Sequence, residues 1–237
     1  MNSLGKCLEF YEGRLLKRYK RFLADVELND GSIVTAHCPN SGAMLGLVSP
    51  GTPVWVSQAQ DPRRKCAYTW EMAFVEETYV GVNTHLPNGL VAEAIKGNQL
   101  HALEGYASLH REVPYDTGTR CDMMLQGTHR PRCIVEVKNA HLKRGTGAFF
   151  PDSVTARGAK HMRALQKQVE QGNRAVVIYV IQRADVAFFS IASDLDPTYA
   201  AAAVAAHKAG VEAYAYTCQV HPNASKKVMI HHQVPVK

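Results

Sequence analysis

Apolar and polar residues alternate along the first third of the chain, and turn-forming residues divide this pattern into short segments. Residues 22–28 alternate in this way, residues 29–31 are Asn-Asp-Gly, and residues 32–38 are again strand-like, which predicts a β-hairpin. Residues 53–57 and 67–75 predict two further strands, separated by turns that contain Pro, Gly and Asn. Several short strands divided by turns are typical of a small barrel or sandwich.

Helical and strand-like segments alternate in the rest of the chain. The predicted helices cover residues 90–103, 153–171 and 196–209, and the predicted strands cover residues 120–125, 133–138, 175–181 and 211–217. Residues 175–181 (AVVIYVI) are continuously apolar, which is typical of a strand that is buried on both faces. We therefore predict two domains, a small β domain at residues 1–83 and an α/β domain at residues 84–237.

The segment 153–171 carries the strongest helical pattern in the chain. Met162, Leu165 and Val169 lie on one face of this predicted helix, and three cations lie on the opposite face. These cations are Lys160, Arg163 and Lys167. The helix therefore has a core side and a cationic side, and we predict that Asp152 or Ser153 caps its start.

Composition excludes several classes of protein. The 237 residues are 46% hydrophobic and 20% charged, which is enough apolar material for a large core and argues against disorder. The N-terminal residues lack the apolar stretch of a signal peptide, and no apolar run reaches the length of a membrane span, so we expect a soluble cytoplasmic protein.

Six separated cysteines without a C-x-x-C pair predict free, mostly buried thiols, and the histidine spacing predicts no structural zinc. Trp55 and Trp70 fall on strand-like segments and are predicted core residues.

The positive charge is local. The chain carries 27 basic and 21 acidic residues, and residues 1–83 are balanced at nine of each, so the whole excess lies in residues 84–237. Residues 130–174 hold ten basic residues against three acidic ones. This distribution favours a polyanionic partner for the second domain.

One pair of predicted strands carries residues suited to phosphodiester chemistry. Glu136 and Lys138 are two apart on a strand, so they project from one face while Val135 and Val137 enter the other. If Asp122 lies on the neighbouring strand, two carboxylates and an ammonium group converge. Carboxylate oxygens suit Mg²⁺ or Mn²⁺, which neutralise charge on a phosphoryl oxygen, and a lysine orients the nucleophile. On this interpretation Asp122, Glu136 and Lys138 are catalytic, and Asp122 and Glu136 hold the metal; no organic cofactor is expected. The alternative is a half-exposed strand whose Glu136 and Lys138 form ordinary ion pairs.

Three groups of cations are candidate DNA contacts. The first group has aromatic residues interleaved, as in a groove that tracks a nucleic-acid backbone, and consists of Arg14, Lys17, Arg18, Lys20 and Arg21. The second group follows a predicted turn and consists of Arg63, Arg64 and Lys65. The third group lies on the cationic helix face and consists of Arg157 and Lys160. The alternatives are a charged edge strand that resists aggregation, a solvated loop and a solvated helix face.

The pattern of Asp122 followed by Glu136-x-Lys138 resembles the PD-(D/E)xK nuclease motif, and longer stretches resemble the sugar fermentation stimulation protein A family. These stretches are residues 13–26, 37–44, 68–71, 80–84, 136–139 and 150–161. The resemblance spans roughly residues 9–217 and keeps the same order along the chain.

This resemblance implies an N-terminal OB-like β-barrel, followed by a restriction-endonuclease-like α/β domain with a mixed central sheet. It also implies non-specific DNA binding, with Asp122, Glu136 and Lys138 at the acidic and lysine positions of the nuclease motif. The family has a glutamate at the position of Ala156 and a threonine at that of His141. The function expected is therefore a DNA-binding, regulatory protein with a metal-dependent nuclease-like site. The alternatives are a DNA-binding module on a silent nuclease scaffold, and RNA as the ligand. Oligomeric state is left open.

Overall fold

A closed five-stranded barrel forms the first part of the structure. The computed structural model describes residues 9–116, 119–224 and 227–237. Strands pair in the order β3-β2-β1-β4-β5-β6, and a parallel pairing of β3 with β5 closes the barrel over its first five strands. The strands are β1 (Phe10–Tyr19), β2 (Leu23–Leu28), β3 (Ile33–His37), β4 (Pro53–Gln58), β5 (Tyr68–Val75) and β6 (Thr78–Gly81). The predicted OB-like barrel is confirmed.

Alternation of side chains explains the barrel core. Ala24 and Val26 of β2 point inward with Leu15 and Trp70, and all four are fully buried. The predicted hairpin is confirmed, since β2 and β3 are antiparallel with Val26 opposite Val34. Trp55 is also buried, so both tryptophans are core residues as predicted.

A mixed six-stranded sheet forms the second part. Its order is β15-β14-β12-β9-β8-β7, in which β12 runs parallel to β9 and β14 while the outer pairs are antiparallel. Its strands are β7 (Ser108–Asp116), β8 (Thr119–Gly127), β9 (Arg130–Ala140), β12 (Arg174–Ile181), β14 (Glu212–Val220) and β15 (Val228–Val234). A smaller sheet contains β10 (Leu142–Arg144), β11 (Gly147–Phe150) and β13 (Phe188–Ile191).

Both faces of the large sheet are covered, as the apolar sequence of β12 predicts. The helices are α1 (Pro87–Lys96), α2 (Ala156–Glu170) and α3 (Pro197–Lys208), with a 3₁₀ turn at His101–Leu103. Alternate residues of β12 enter two different cores: Val177 lies in the cluster that contains residues of α2 and α3, and Ile178 lies in the cluster that contains residues of α1. The predicted restriction-endonuclease-like arrangement is therefore confirmed.

Two predicted helix boundaries are wrong. The helix expected at 90–103 ends at Lys96, because Asn98 adopts a left-handed backbone conformation with φ 52° and the chain turns there. Helix α2 begins at Ala156, and Thr155 caps it by accepting a hydrogen bond from the Gly158 N–H at 3.0 Å. Asp152, expected as a cap, makes its contacts elsewhere.

The barrel and the sheet share an apolar core. Trp55 and Met72 of the barrel pack in the same cluster as α1 and the buried face of the sheet. An ion-pair network adds to this contact: Lys143 lies 2.8 Å from both Glu76 of the barrel and Asp185, and Arg183 reaches the same two carboxylates. The relative position of barrel and sheet is therefore fixed by packing as well as by the linking chain.

The described cysteines are free, as predicted. Four are buried and Cys66 is half-buried; the buried ones are Cys38, Cys121, Cys133 and Cys218. Cys7 lies outside the described residues. Within the described part of the chain, no helix is long and apolar enough to cross a membrane.

Candidate functional site

The structure brings together the three residues that the sequence singled out. Met123 of β8 pairs with Val135 of β9, and Asp122 and Glu136 are the next residues along these two strands. Lys138 lies two residues further on β9, on the same face as Glu136, and its Nζ is 2.6 Å from Glu136 Oε1. Val135 and Val137 enter the opposite core, as alternation predicts.

Glu136 is buried yet held in its charged form. Only 3% of its side chain is exposed, and this burial acts to raise its pKa. The hydrogen bond from His161 Nδ1 and the charge of Lys138 outweigh burial, so the pKa of Glu136 lies below its ordinary value. Both contacts are made by Oε1, whereas Oε2 is buried without a hydrogen-bond partner. An oxygen of an ionised carboxylate is therefore left without a partner inside the site.

The hydrogen bonds of His161 fix the position of its proton. Arg157 Nε donates to His161 Nε2 at 3.3 Å, and a guanidinium group has no acceptor atom, so Nε2 must be unprotonated. Nδ1 lies 3.4 Å from Lys138 Nζ and closer to Glu136 Oε1, so we assign the proton to Nδ1, which donates it to Glu136 Oε1. His161 thus belongs to the site although no motif assigned it there. Its sequence signal is its spacing, because residues four apart on a helix, such as Arg157 and His161, share a face.

Asp122 has a more polar environment. Its Oδ1 accepts a hydrogen bond from Asn88 Nδ2 of α1, and its Oδ2 accepts one from the Val137 N–H, both at 2.7 Å. Burial raises the pKa of Asp122, and the nearby charge of Glu136 raises it further. The two carboxylates are close enough to repel each other, which is the arrangement that a bound cation relieves.

A cleft of about 570 Å³ opens beside Asp122, and we call it the cationic cleft because three cations line it against the two carboxylates of Asp122 and Glu112. Asp122 and His161 form part of its wall, and Arg157 and Lys160 line it from α2 with exposed side chains. Arg120 of β8 adds a third exposed cation. The two helix cations predicted as phosphate contacts therefore lie in the same cleft as the predicted catalytic aspartate.

The residues present fit a hard divalent cation. Asp122 and Glu136 supply oxygen atoms from neighbouring strands, and Glu136 Oε2 is a buried ionised oxygen without a partner. Among the described residues no three His, Cys, Asp or Glu side chains converge to form a metal group. Two carboxylates with water completing the shell are the arrangement that Mg²⁺ typically takes.

The cation cluster of the barrel is mostly exposed, with one exception. Arg14, Lys17, Lys20 and Arg21 are exposed on β1 and the turn that follows it. Arg18 instead donates to the carbonyl oxygens of residues 21, 40, 42 and 43, at 2.9–3.4 Å. A DNA phosphate would have to compete with these carbonyls for the Arg18 guanidinium. The role of Arg18 as a DNA contact stays a prediction, and its hydrogen bonds to the carbonyl oxygens give it a role in holding the loop of residues 40–43.

The remaining predicted residues lie apart from the cleft. Arg63, Arg64 and Lys65 are exposed in the loop after β4, where Arg63 pairs with Asp61 at 3.0 Å and Arg64 donates to Thr69 Oγ1. Ala156 is exposed at the first position of α2. Asp152 accepts a hydrogen bond from the Met44 N–H of the barrel at 2.7 Å, and its Oδ2 lies 3.2 Å from His141 Nε2.

Comparisons with known proteins cover nearly the whole chain. The model of the SfsA N-terminal OB domain matches residues 16–82, and that of the sugar fermentation stimulation protein RE domain matches residues 85–224. The sugar fermentation stimulation protein homolog of Maricaulis maris is 50% identical over 230 residues, 97% of each chain. That of Paramagnetospirillum magneticum is 52% identical over 209 residues, 88% of this chain and 89% of that one.

A solved structure has the same fold over its whole length. The SfsA of Pyrococcus furiosus, solved in complex with Ca²⁺, superposes with a TM-score of 0.89 and covers all of both chains at 23% sequence identity. At this identity the similarity establishes the fold.

Proposed function

Because the chain belongs to the sugar fermentation stimulation protein family, we propose that it binds DNA through backbone contacts and hydrolyses phosphodiester bonds with Mg²⁺ or Mn²⁺. One observation carries the proposal: the buried Oε2 of Glu136 has no hydrogen-bond partner, and Asp122 on the neighbouring strand lines a cleft together with Arg157 and Lys160. A structural ion pair would leave no ionised oxygen without a partner, since such an atom is costly to bury. The Pyrococcus furiosus protein was solved in complex with Ca²⁺, and this supports the proposal that the present chain also binds a divalent cation.

Asp122 and Glu136 would hold the cation, which when bound lowers the pKa of water and neutralises phosphoryl charge. Lys138 donates one N–H to Glu136 Oε1, and its Nζ also lies 3.4 Å from His161 Nδ1, which carries a proton and cannot accept. Two N–H groups therefore remain to orient the attacking water and to bind a phosphoryl oxygen. Arg157 and Lys160 contact the flanking phosphates from the cleft wall. His161 holds Glu136 Oε1 in place, which would leave Oε2 to bind the cation.

A second candidate is a DNA-binding protein whose nuclease-like site is silent. Ala156 favours it, because a methyl group stands at the start of α2, where the resemblance to the family implies a carboxylate. If that carboxylate orients a water or a cation, its absence lowers the rate without affecting DNA binding. The two candidates therefore differ in hydrolysis and agree in binding.

Conversion of supercoiled plasmid to nicked or linear forms tests the proposal. Purified protein is incubated with Mg²⁺, Mn²⁺ or EDTA, alongside Lys138→Ala and the control Lys208→Ala, which changes an exposed lysine at the end of α3. We expect metal-dependent cutting by the parent and the control, and a loss of about 10²-fold or more in Lys138→Ala. Equal cutting by Lys138→Ala contradicts the proposal. Absence of cutting with either metal, while the plasmid is still retarded on a gel, establishes the silent-scaffold candidate.

DNA binding has its own test. Affinity for duplex DNA, measured in EDTA, should fall steeply between about 50 and 200 mM salt, because contacts to phosphates release counterions. The double variant Arg157→Ala with Lys160→Ala should bind more weakly and reduce the slope of log K against log salt by about two. Lys208→Ala should leave the slope unchanged. A flat salt response in the parent contradicts backbone binding.

A further inference from the structure

A second cleft, of about 290 Å³, lies between the barrel and the sheet. The barrel contributes Arg21 and the loop residues 40–42, and the other wall is the segment from Phe150 to Thr155. Asn139, the residue after Lys138, also lines it. We call it the barrel–sheet cleft. It borders the proposed catalytic site, because Thr155 lies in its wall and Arg157, two residues later, lies in the wall of the cationic cleft.

The walls of the barrel–sheet cleft are held in place by specific contacts. Asp152 bridges the two parts of the molecule by accepting a hydrogen bond from the Met44 N–H at 2.7 Å while lying beside the buried His141. A Cβ atom at Gly42 would lie 2.4 Å from Asp152 Oδ1, so only glycine permits this approach. Arg18 binds the carbonyl oxygens of Asn40 and Gly42 from behind. The cleft is therefore formed before any ligand arrives, which reduces the entropic cost of binding.

Two exposed apolar side chains lie at this cleft or next to one of its lining residues in the sequence. Val154 lines the cleft and is 75% exposed. Phe22 directly follows the lining residue Arg21. One face of the Phe22 ring stacks on His37, with ring centroids 6.4 Å apart, while the residue stays 44% exposed.

The combination of groups indicates the class of ligand. Arg21 lines the cleft and Lys20 precedes it, so both offer positive charge, while the Asp152 carboxylate in the wall is engaged by the Met44 N–H and lies beside His141. Ser41 and Ser153 offer hydroxyl groups, and the Phe22 ring and Val154 offer apolar surface. Positive charge beside an exposed aromatic ring is the arrangement that binds single-stranded nucleic acid, since a base must be unstacked to present its face. The volume is at the lower end of small-ligand pockets, so it suits one nucleotide and excludes a duplex.

On this basis, and resting on the proposed function, we propose that the barrel–sheet cleft binds an unpaired nucleotide of single-stranded DNA. The strand then runs from the Lys20–Arg21 turn through the cleft to Asp122 and Glu136. The protein consequently prefers DNA with unpaired nucleotides over fully paired duplex. Phe22 and Val154 supply this preference, whereas Arg157 and Lys160 contact phosphates of either form.

Fluorescence anisotropy in EDTA tests the preference without any cleavage. The probes are a labelled single strand of DNA of about 20 nucleotides, which exceeds the site size of one OB fold, the same strand in a duplex, and an RNA of the same sequence. The variant Phe22→Ser with Val154→Ser is compared with Ile33→Ser, a control that changes another exposed apolar residue at the far end of the β2–β3 hairpin. Thermal unfolding checks that each variant is folded.

We expect the parent to bind the DNA single strand at least tenfold more tightly than the duplex. The double variant should lose about tenfold in affinity for the single strand and none for the duplex, because stacking on one base contributes about 1–3 kcal/mol. Ile33→Ser should behave as the parent does. Equal affinity for both DNA forms, an equal loss for both in the double variant, or tighter binding of RNA would overturn the proposal. Because cleavage is not measured, a silent catalytic site would leave this test unaffected.

Discussion

Glu136 illustrates how single contacts decide the chemistry of this molecule. The side chain is almost fully buried, and it stays ionised because Lys138 and His161 both contact Oε1. The pairing of Asp122 and Glu136 on adjacent strands was predictable from sequence, since strand alternation and spacing are local properties. The contact of His161 with Glu136 was not predictable from sequence, because it joins α2 to β9 over 25 residues and depends on how the helix packs on the sheet.

Removal of the His161 imidazole should destabilise the fold. His161→Ala leaves Glu136 buried with only Lys138 as a partner, so we expect the free energy of unfolding at pH 7 to fall by about 1–3 kcal/mol. Urea denaturation measures this loss. The control His129→Ala alters an exposed turn and should change stability by less than about 0.5 kcal/mol. An unchanged midpoint in His161→Ala would contradict the hydrogen bond to Glu136.

At the scale of elements, helix α2 connects the fold to the site. Its buried face packs Met162 and Leu165 against the sheet, and its exposed face presents Arg157 and Lys160 to the cleft. Periodicity was sufficient to predict both faces. The start of the helix was mispredicted, because Asp152, Ser153 and Thr155 are all good capping residues and only tertiary contacts select among them. Asp152 is drawn to Met44 and His141, which leaves the cap to Thr155.

The identity of the cap can be tested by substitution. Thr155→Ala should reduce the free energy of unfolding by about 1 kcal/mol, because the Gly158 N–H loses its acceptor. Ser153→Ala should have a much smaller effect, since the Ser153 hydroxyl donates its hydrogen bond to Asp152 Oδ1, at 3.4 Å, and Thr155 is the residue that caps the helix. Chemical denaturation of the two variants decides the point. A larger loss in Ser153→Ala would reverse the assignment.

At the scale of the whole molecule, barrel and sheet are joined by an apolar core, an ion-pair network and the Asp152 bridge. Sequence patterns predicted the two architectures but not this contact, because residues such as Glu76 and Asp185 look like ordinary surface charges until the chain folds. The barrel–sheet cleft was unpredicted for the same reason. Its walls come from segments that are more than 100 residues apart.

The Asp152 bridge makes stability depend on pH. Burial acts to raise the pKa of Asp152, but contacts with His141 and the Met44 N–H outweigh it and place the pKa below its ordinary value of 3.8. A carboxyl with a lowered folded-state pKa stabilises the fold above its unfolded pKa and loses this contribution as pH falls through the folded value. Asp152→Asn should therefore be less stable than the parent at pH 7, and the difference should shrink below about pH 4. Thermal unfolding across this range measures it. A difference that stays constant with pH would contradict the charged bridge.

Cation binding by Asp122 and Glu136 is the central claim, and calorimetric titration of the protein with Mn²⁺ in the absence of DNA tests it most directly. Asp122→Asn and Glu136→Gln are compared with Glu27→Gln, a control that alters an exposed glutamate on β2. We predict that the parent and the control bind Mn²⁺ and that each site variant, confirmed as folded by thermal unfolding, binds at least tenfold more weakly. Equal binding by the parent and both site variants would contradict the account.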